Sequence, residues 1–409
     1  MFKKILIITI IAASLQLFRF SFLPDSVMKI IGLAGVVIIL LTIGLQLVYS
    51  PVEHFVLNFK WEILLIFIAV FTSMFMANYN YNQGFGTTLI AQRFMYYYLT
   101  YYMLHLLKIP DYDLEKIIIG FAVVHSIFYL IQFAAFPVRI FDVRAAESRG
   151  TIRIFLPGLA YLVIAYFLLL NQIFKRFSLS KLAMLLLFVS IFFLMATRQL
   201  ILSVLLISLI NVLFSKQVKS KILIIVLIVL GTIPLIIMFQ DLILSMVTLS
   251  QKQTENIEDD IRVSAAIFYL TDFFPNKWGY LFGNGMDSTN SSYGVIVQMY
   301  RSVYHFIQSD IGIIGDFSRF GLIFLTGVVL MLVKVLKEKM TGKLNYIKYF
   351  FVFVILVSFT GDGFFGNSAG HIVAISLLLY IIDVNHFRDQ TQTLEANPDV
   401  DKESEINTH

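Results

Sequence analysis

Arginine is the residue type whose placement points to chemistry in this chain. Arg198 stands in Thr197-Arg198-Gln199, with FFLMA before it and LILSVLL after it. A fixed charge among lipid chains is costly, so it must face protein or a wet cavity. Arg262 opens the stretch IRVSAAIFYLTDFF at 261–274. Arg149 and Arg153 are spaced i, i+4 just before an apolar run; on a helix they would share one face, and a shared anion would offset their repulsion. The guanidinium fork suits phosphate and carboxylate and keeps its charge when partly buried. Such groups can stabilise negative charge that develops on a leaving group.

A second constellation is HFIQSDIGIIGDFSRFG at 305–321. His305 and Asp310 are candidate general bases that could take a proton from a hydroxyl. Asp316 and Arg319 follow at i and i+3. Each of these residues also has a plain structural reading. Arg198 can be a helix-end arginine hydrated among headgroups. Arg262 can pair with Glu258 four residues before it, and Arg149 and Arg153 with Asp142 and Glu147. Asp310 can cap a helix, His305 can be an ordinary loop histidine, and Asp316 with Arg319 can be an intrahelical ion pair tolerated in the membrane. Asp362 and His371, among Gly361, Gly363, Gly366 and Gly370, read as a tight turn.

The elements that must position these residues follow from composition. Of 409 residues, 58% are hydrophobic and 14% charged, and the mean hydropathy is +0.83. A soluble domain is about half apolar and a quarter charged, so the bilayer must be this chain's solvent. That excludes a cytosolic enzyme, a nucleic-acid-binding domain and a disordered chain. Cysteine is absent, which removes disulfides, thiolate metal sites and cysteine nucleophiles. A membrane helix needs ~20 mostly apolar residues. Twelve segments qualify: 4–22, 28–49, 61–77, 88–107, 114–136, 154–174, 181–197, 199–215, 222–240, 311–333, 346–364 and 369–386. They are too long and too uniformly apolar for barrel strands. The expected fold is an all-α integral membrane protein of about twelve spans. The first segment, with Lys3 and Lys4 before an apolar run, has signal-peptide character; with eleven further spans behind it, an uncleaved first helix is expected.

Basic residues orient the spans. With the N-terminus in the cytoplasm, 18 of the 31 basic residues fall on the cytoplasmic side. Setting aside Lys252, Arg262, Lys277 and Arg301, which lie in one long loop where the rule is weak, 9 remain outside. Both termini are then cytoplasmic. Residue type divides more sharply: 16 of 19 lysines fall inside and 10 of 12 arginines outside. Lysine sets the topology, and arginine gathers on the face where basic residues are disfavoured, four of them within 139–153. Segment 241–310 is an extracytoplasmic loop between spans nine and ten. It contains an acidic run (Glu255, Glu258, Asp259, Asp260), the amphipathic stretch 261–274 expected to lie in the interface, the turn Gly283-Asn284-Gly285 and a second amphipathic piece at 295–308. Loops of this length usually bind or cover something. Residues 1–386 read as the membrane domain and 387–409 as a disordered cytoplasmic tail.

This layout resembles the O-antigen polymerase/ligase superfamily of bacterial membrane glycosyltransferases, along nearly the whole chain. Thr197-Arg198 is similar to the family's Ser/Thr-Arg at the outer start of a mid-chain helix, although Gln199 stands where the family often has Gly. Arg262, an amphipathic helix and Leu281-Phe282-Gly283-Asn284-Gly285 resemble its loop arginine followed by a G-x-G stretch. Asp310 through Phe320-Gly321-Leu322-Ile323 resembles its next helix. The ligase branch commonly has histidine eleven residues before that glycine. Asp310 occupies the position here and His305 is the nearest histidine, which favours the polymerase branch.

The resemblance implies a glycan donor and acceptor linked to polyprenyl pyrophosphate, transfer without metal or other cofactor, a bacterial plasma-membrane location and possible partnership with other polysaccharide export proteins. It implies that Arg198 and Arg262 grip the donor diphosphate, with Arg153, Arg149 and Arg319 as further substrate contacts and Asp310 or His305 as base. Three alternatives stay open: a ligase-type glycan transferase, a flippase for the same lipid-linked glycan, and a non-catalytic membrane scaffold or sensor.

Overall fold

The computed structural model describes residues 1–49, 57–148, 151–214, 260–340, 342–358 and 364–396. In chain order the helices are α1 (Phe2–Ser14), α2 (Asp25–Tyr49), α3 (Lys60–Tyr81), α4 (Phe85–Ala91), α5 (Leu99–Leu107) and α6 (Asp111–Ala135). A hairpin of β1 (Ala145–Ser148) and β2 (Thr151–Ile154) follows. Then come α7 (Leu159–Lys175), α8 (Leu179–Leu194), α9 (Arg198–Phe214), α10 (Ile261–Thr271), α11 (Trp278–Phe282), α12 (Ser292–Val303), α13 (Ile313–Lys337), α14 (Asn345–Ser358) and α15 (Ala369–Ala396). The architecture is that of an all-α membrane protein. Among the described residues, α2, α3, α6, α13 and the Ala369–Arg388 part of α15 are long and apolar enough to cross a membrane.

Lysines cluster near one end of the bundle, where Arg388 joins them on Asp111 at 3.4 Å, and Arg19, Arg153 and Arg198 lie away from it. At one end Lys3 donates to the Leu107 carbonyl at 2.6 Å, Lys4 pairs with Asp113 at 2.7 Å, Lys334 with Glu62 at 3.1 Å and Lys343 with Asp111 at 3.5 Å. At the other end Phe20 and Phe141 form an antiparallel bridge, and Gln199 Nε2 donates to the Leu356 carbonyl at 2.7 Å. The chain shuttles between these two ends. α7 and α15 lie inside: α7 is buried from Ala160 to Asn171, and 72% of the apolar window of α15 is buried, against 22% for α2. A helix apolar all round belongs in the core, whereas α2 turns Val37, Leu40, Leu41 and Leu45 outward.

Lipid tails are as apolar as leucine, so close packing and hydrogen bonds hold such helices together. Buried tyrosines serve here. Tyr97 donates to the Gly32 carbonyl at 2.7 Å, Tyr380 to Ile109 at 2.8 Å and Tyr98 to Phe365 at 3.2 Å.

Several expected spans are interrupted. The segment 88–107 is not one helix: it divides into α4, a 3-10 turn at Met95–Tyr98, and α5. Arg93 folds back on the Ile90 carbonyl at 3.1 Å and stacks 4.4 Å over Phe94, while Tyr97 reaches to α2 and Tyr98 to the turn before α15. The first helix ends at Ser14, and Gln16–Arg19 turn with positive φ throughout. α13 is broken at Gly321, whose φ of 74° and ψ of −172° leave the helical region. The turn after α11 fills the break: Asn284 N donates to the Ser318 carbonyl at 3.1 Å and Gly285 N to Arg319 at 2.8 Å. Broken backbone at such a depth persists only where other groups satisfy it. α14 is described to Ser358, with 359–363 of its expected span outside the described residues, and α15 continues past the expected tail boundary at Phe387 to Ala396. The expected span at 222–240 and the loop residues 241–259 lie outside the described residues, as do 397–409.

Candidate functional site

The β-hairpin brings Arg153 to the arginine end. Arg153 lies on β2, opposite Ala146, so it stands on a strand where a helix was expected. Arg149 lies outside the described residues. The Arg153 guanidinium stacks 5.0 Å from the Phe155 ring. It also makes two long, weak bonds to the turn between α8 and α9: Nε to the Met195 carbonyl at 3.4 Å and Nη2 to Thr197 Oγ1 at 3.5 Å. That turn places Ala196 at φ 48°, and Arg198 begins α9 directly after it. Gln199 ties the same point to the end of α14. Arg262 is the second residue of α10. Its backbone N–H is capped by Asp260 Oδ1 at 2.8 Å, as favoured at a helix start, and its residue is exposed.

Electrostatics shows that these residues are neighbours. The Arg153 pKa is lowered below the usual arginine value, first by burial and then by the positive charges of Arg144, Arg262 and Arg198, with a partial counter-effect from Tyr129. Four guanidinium groups from the hairpin, α9 and α10 therefore share one neighbourhood. Arginine cannot shed its proton in a protein, so the repulsion is relieved only by solvent or by an anion. Arg144 stacks on Phe155 as well, at 5.8 Å.

The other candidate residues sit differently. Arg319 is 6% exposed and its guanidinium is committed. It donates to Gln308 Oε1 at 3.3 Å and to Asn367 Oδ1, and lies 3.9 Å from the fully buried Asp316. Expected as a substrate contact, Arg319 is instead wired into a buried polar network that ties α13 to the turn before it and to the stretch before α15. Asp310 does not cap α13, whose start is preceded by Gly312 without any side-chain cap. It occupies a 3-10 turn, Gln308–Ile311, half-buried, next to Ile311, which packs with Ala265 and Tyr269 of α10. His305 is exposed at φ 58°, after α12. His371 is half-buried and stacks 4.3 Å from Phe364, while Asp362 lies outside the described residues.

Sequence reasoning missed Gln308 and Asn367, whose roles appear only once they meet Arg319, and Phe155, the ring between Arg144 and Arg153. Arg144 carried a signal, as one of four arginines in 139–153, but nothing local distinguished it. Among the described residues, no group of three or more histidines, aspartates or glutamates is placed to hold a metal ion.

The fold and site together define a membrane protein with converging arginines at one end of an α-helical bundle. No protein-family model matches the sequence, and no curated protein matches it.

Proposed function

We propose that this chain is a bacterial plasma-membrane glycosyltransferase that polymerises polyprenyl-diphosphate-linked oligosaccharide repeats, of the O-antigen, capsule or exopolysaccharide type. In this reading it spans the membrane twelve times with both termini cytoplasmic, and the arginine end faces out. The observation that carries the reading is the convergence of Arg144, Arg198 and Arg262 on Arg153. A diphosphate leaving group needs fixed positive charge where negative charge develops, and bidentate guanidinium groups provide it.

The acceptor sugar hydroxyl attacks the anomeric carbon of the donor. The bond from that carbon to the diphosphate oxygen breaks, the hydroxyl proton passes to a base, and polyprenyl diphosphate departs with the bonding electron pair. Arg153, Arg198 and Arg262 hold the leaving diphosphate. Asp310 takes the proton: its turn packs against α10, the helix that carries Arg262, whereas His305 is exposed. Arg319 keeps the turn bearing Asp310 in place through Gln308.

The test is neutralisation of Arg198 or Arg262 in cells, reading glycan chain length at matched protein levels. Collapse to single repeats is expected. Unchanged long chains would sink the proposal.

A further inference from the structure

Phe155 also lines a cavity of about 530 Å³ whose lining does not include Arg153. Arg19, Arg139 and Arg144 line it, with Asp142, Phe155 and Pro157. Three guanidinium groups against one carboxylate leave it net positive. The volume falls in the range of ordinary ligand sites and accommodates a diphosphate with room for attached groups.

The fold builds this cavity deliberately. Arg19 closes a run of four left-handed residues, Gln16, Leu17, Phe18 and Arg19, at φ 50° to 59°. Non-glycine residues avoid that region, and such strain persists only where surrounding contacts over-determine it. The contacts are present: Asp142 N donates to the Arg19 carbonyl at 2.6 Å and Ser21 N to Ile140 at 2.9 Å. The Arg19 side chain uses one nitrogen, Nη2, for both Asp142 at 3.3 Å and Asp25 at 3.6 Å. Its Nε is buried and has no hydrogen-bond partner. A buried, unpaired donor on a cation costs stability unless a ligand completes it. Arg139 and Arg144 are exposed, so their donors are open to the cavity and the solvent.

We infer that this cavity is a second diphosphate-binding site, built on Arg19 and Arg139, which are not among the charges acting on Arg153. Resting on the glycosyltransferase reading, its occupant is the acceptor's lipid-linked diphosphate, held while Arg153, Arg198 and Arg262 hold the donor's. A polymerase joining two lipid-linked glycans must keep both anchored at once. Arg144, which lines this cavity and also acts on Arg153, sits between the two sites.

The experiment titrates farnesyl diphosphate into the full-length protein in phosphatidylcholine nanodiscs by calorimetry. The wild type is expected to take up two equivalents. Arg139→Ala alters an exposed residue that does not act on Arg153, and Arg139→Ala/Arg144→Ala removes two of the three cations. Each should weaken one equivalent, the double variant by about tenfold or more, while the other equivalent is retained. Arg198→Gln should weaken the retained one instead. Inorganic pyrophosphate titrated into the same samples separates the sources: tighter farnesyl diphosphate binding at the Arg139-dependent site supports a lipid-linked occupant, and equal affinity overturns the acceptor role. A single equivalent lost in Arg198→Gln and unaffected by Arg139→Ala overturns the second site and leaves the donor reading standing. Binding that fails in Arg139→Ala/Arg144→Ala but is unchanged in Arg198→Gln leaves the cavity standing and removes the donor reading.

Discussion

Gly283 and Gly321 meet backbone to backbone: a Cβ on Gly321 would lie 2.4 Å from the Gly283 nitrogen, and one on Gly283 would lie 2.2 Å from the Arg319 carbonyl oxygen. This contact seats the Gly283-Asn284-Gly285 turn in the break of α13. Asn284 then reaches out, accepting from Asn80 at 2.9 Å and donating to Tyr81 Oη at 3.2 Å and to the Phe273 carbonyl at 3.1 Å. The segment following α10 is thereby fastened to α3 and α13.

Gly321→Ala should therefore be among the most damaging small substitutions. Its φ of 74° with ψ of −172° is a region nearly restricted to glycine, at about 1–3 kcal/mol for the backbone alone, before any displacement of the Gly283 turn. Thermal unfolding in detergent should show a clear drop. Gly120→Ala, where nothing lies within 4 Å of the added Cβ, should leave the transition in place or raise it slightly. Equal behaviour of the two variants would contradict the seated-turn account.

The converging guanidinium groups predict opposite effects on the empty and the occupied protein. At neutral pH, below its depressed folded pKa, Arg153 is charged folded and unfolded alike, so the repulsion from Arg144, Arg262 and Arg198 is fully present in the fold. Arg262→Gln removes part of it and should raise the melting temperature of the ligand-free protein modestly. The same variant should lose stabilisation by pyrophosphate. A ligand at a hundred times its Kd adds about 2.7 kcal/mol, and tenfold weaker binding cuts that to about 1.4 kcal/mol. Differential scanning fluorimetry with and without pyrophosphate reads both signs.

Arg319 should behave as a structural residue. It is nearly buried between Asp316, Gln308 and Asn367. Arg319→Ala would strip the cation from beside the buried Asp316, a change that costs roughly 3–5 kcal/mol when one partner of a buried pair is removed. Loss of folded protein is expected, with partial recovery in Asp316→Asn/Arg319→Gln. Arg198→Gln and Arg262→Gln should accumulate normally, and if Arg319→Ala did so too, the buried network would not have the role assigned to it.

Asp310 and His305 can be separated as bases. Asn tolerates a left-handed backbone, so His305→Asn preserves the φ of 58° and isolates the ring. With purified lipid-linked repeats, Asp310→Asn should lower the polymerisation rate by about 10²–10⁴-fold, while His305→Asn stays near wild type. The reverse ranking would move the base to His305.

Much of the bundle was legible along the chain because its signals are local. Long apolar runs announced α2, α3, α6, α13 and the core of α15, and the amphipathic pattern at 261–274 announced α10 at Ile261–Thr271. Interruptions were less legible. Hydropathy at 88–107 does not reveal that Tyr97 bonds to α2 and Tyr98 to the turn before α15, and at Gly321 it does not reveal a turn from elsewhere that satisfies a broken helix. The i, i+4 spacing of Arg149 and Arg153 fits a hairpin's turn and strand as readily as a helix.

Composition and periodicity alone determined the solvent of this protein and the helical class of its elements, since each depends on how a short segment meets lipid or water. Which arginines act on one another was decided only by the tertiary structure. Arg198 is aimed by a side chain that bonds 157 residues further along the chain, Arg153 by a strand pairing, and Arg262 by the packing of α10 on the turn at Gln308–Ile311. Arg319, with the same chemistry, is drawn into the interior because Gln308, Asp316 and Asn367 meet there. Such contacts join residues distant in sequence, and no local pattern records them.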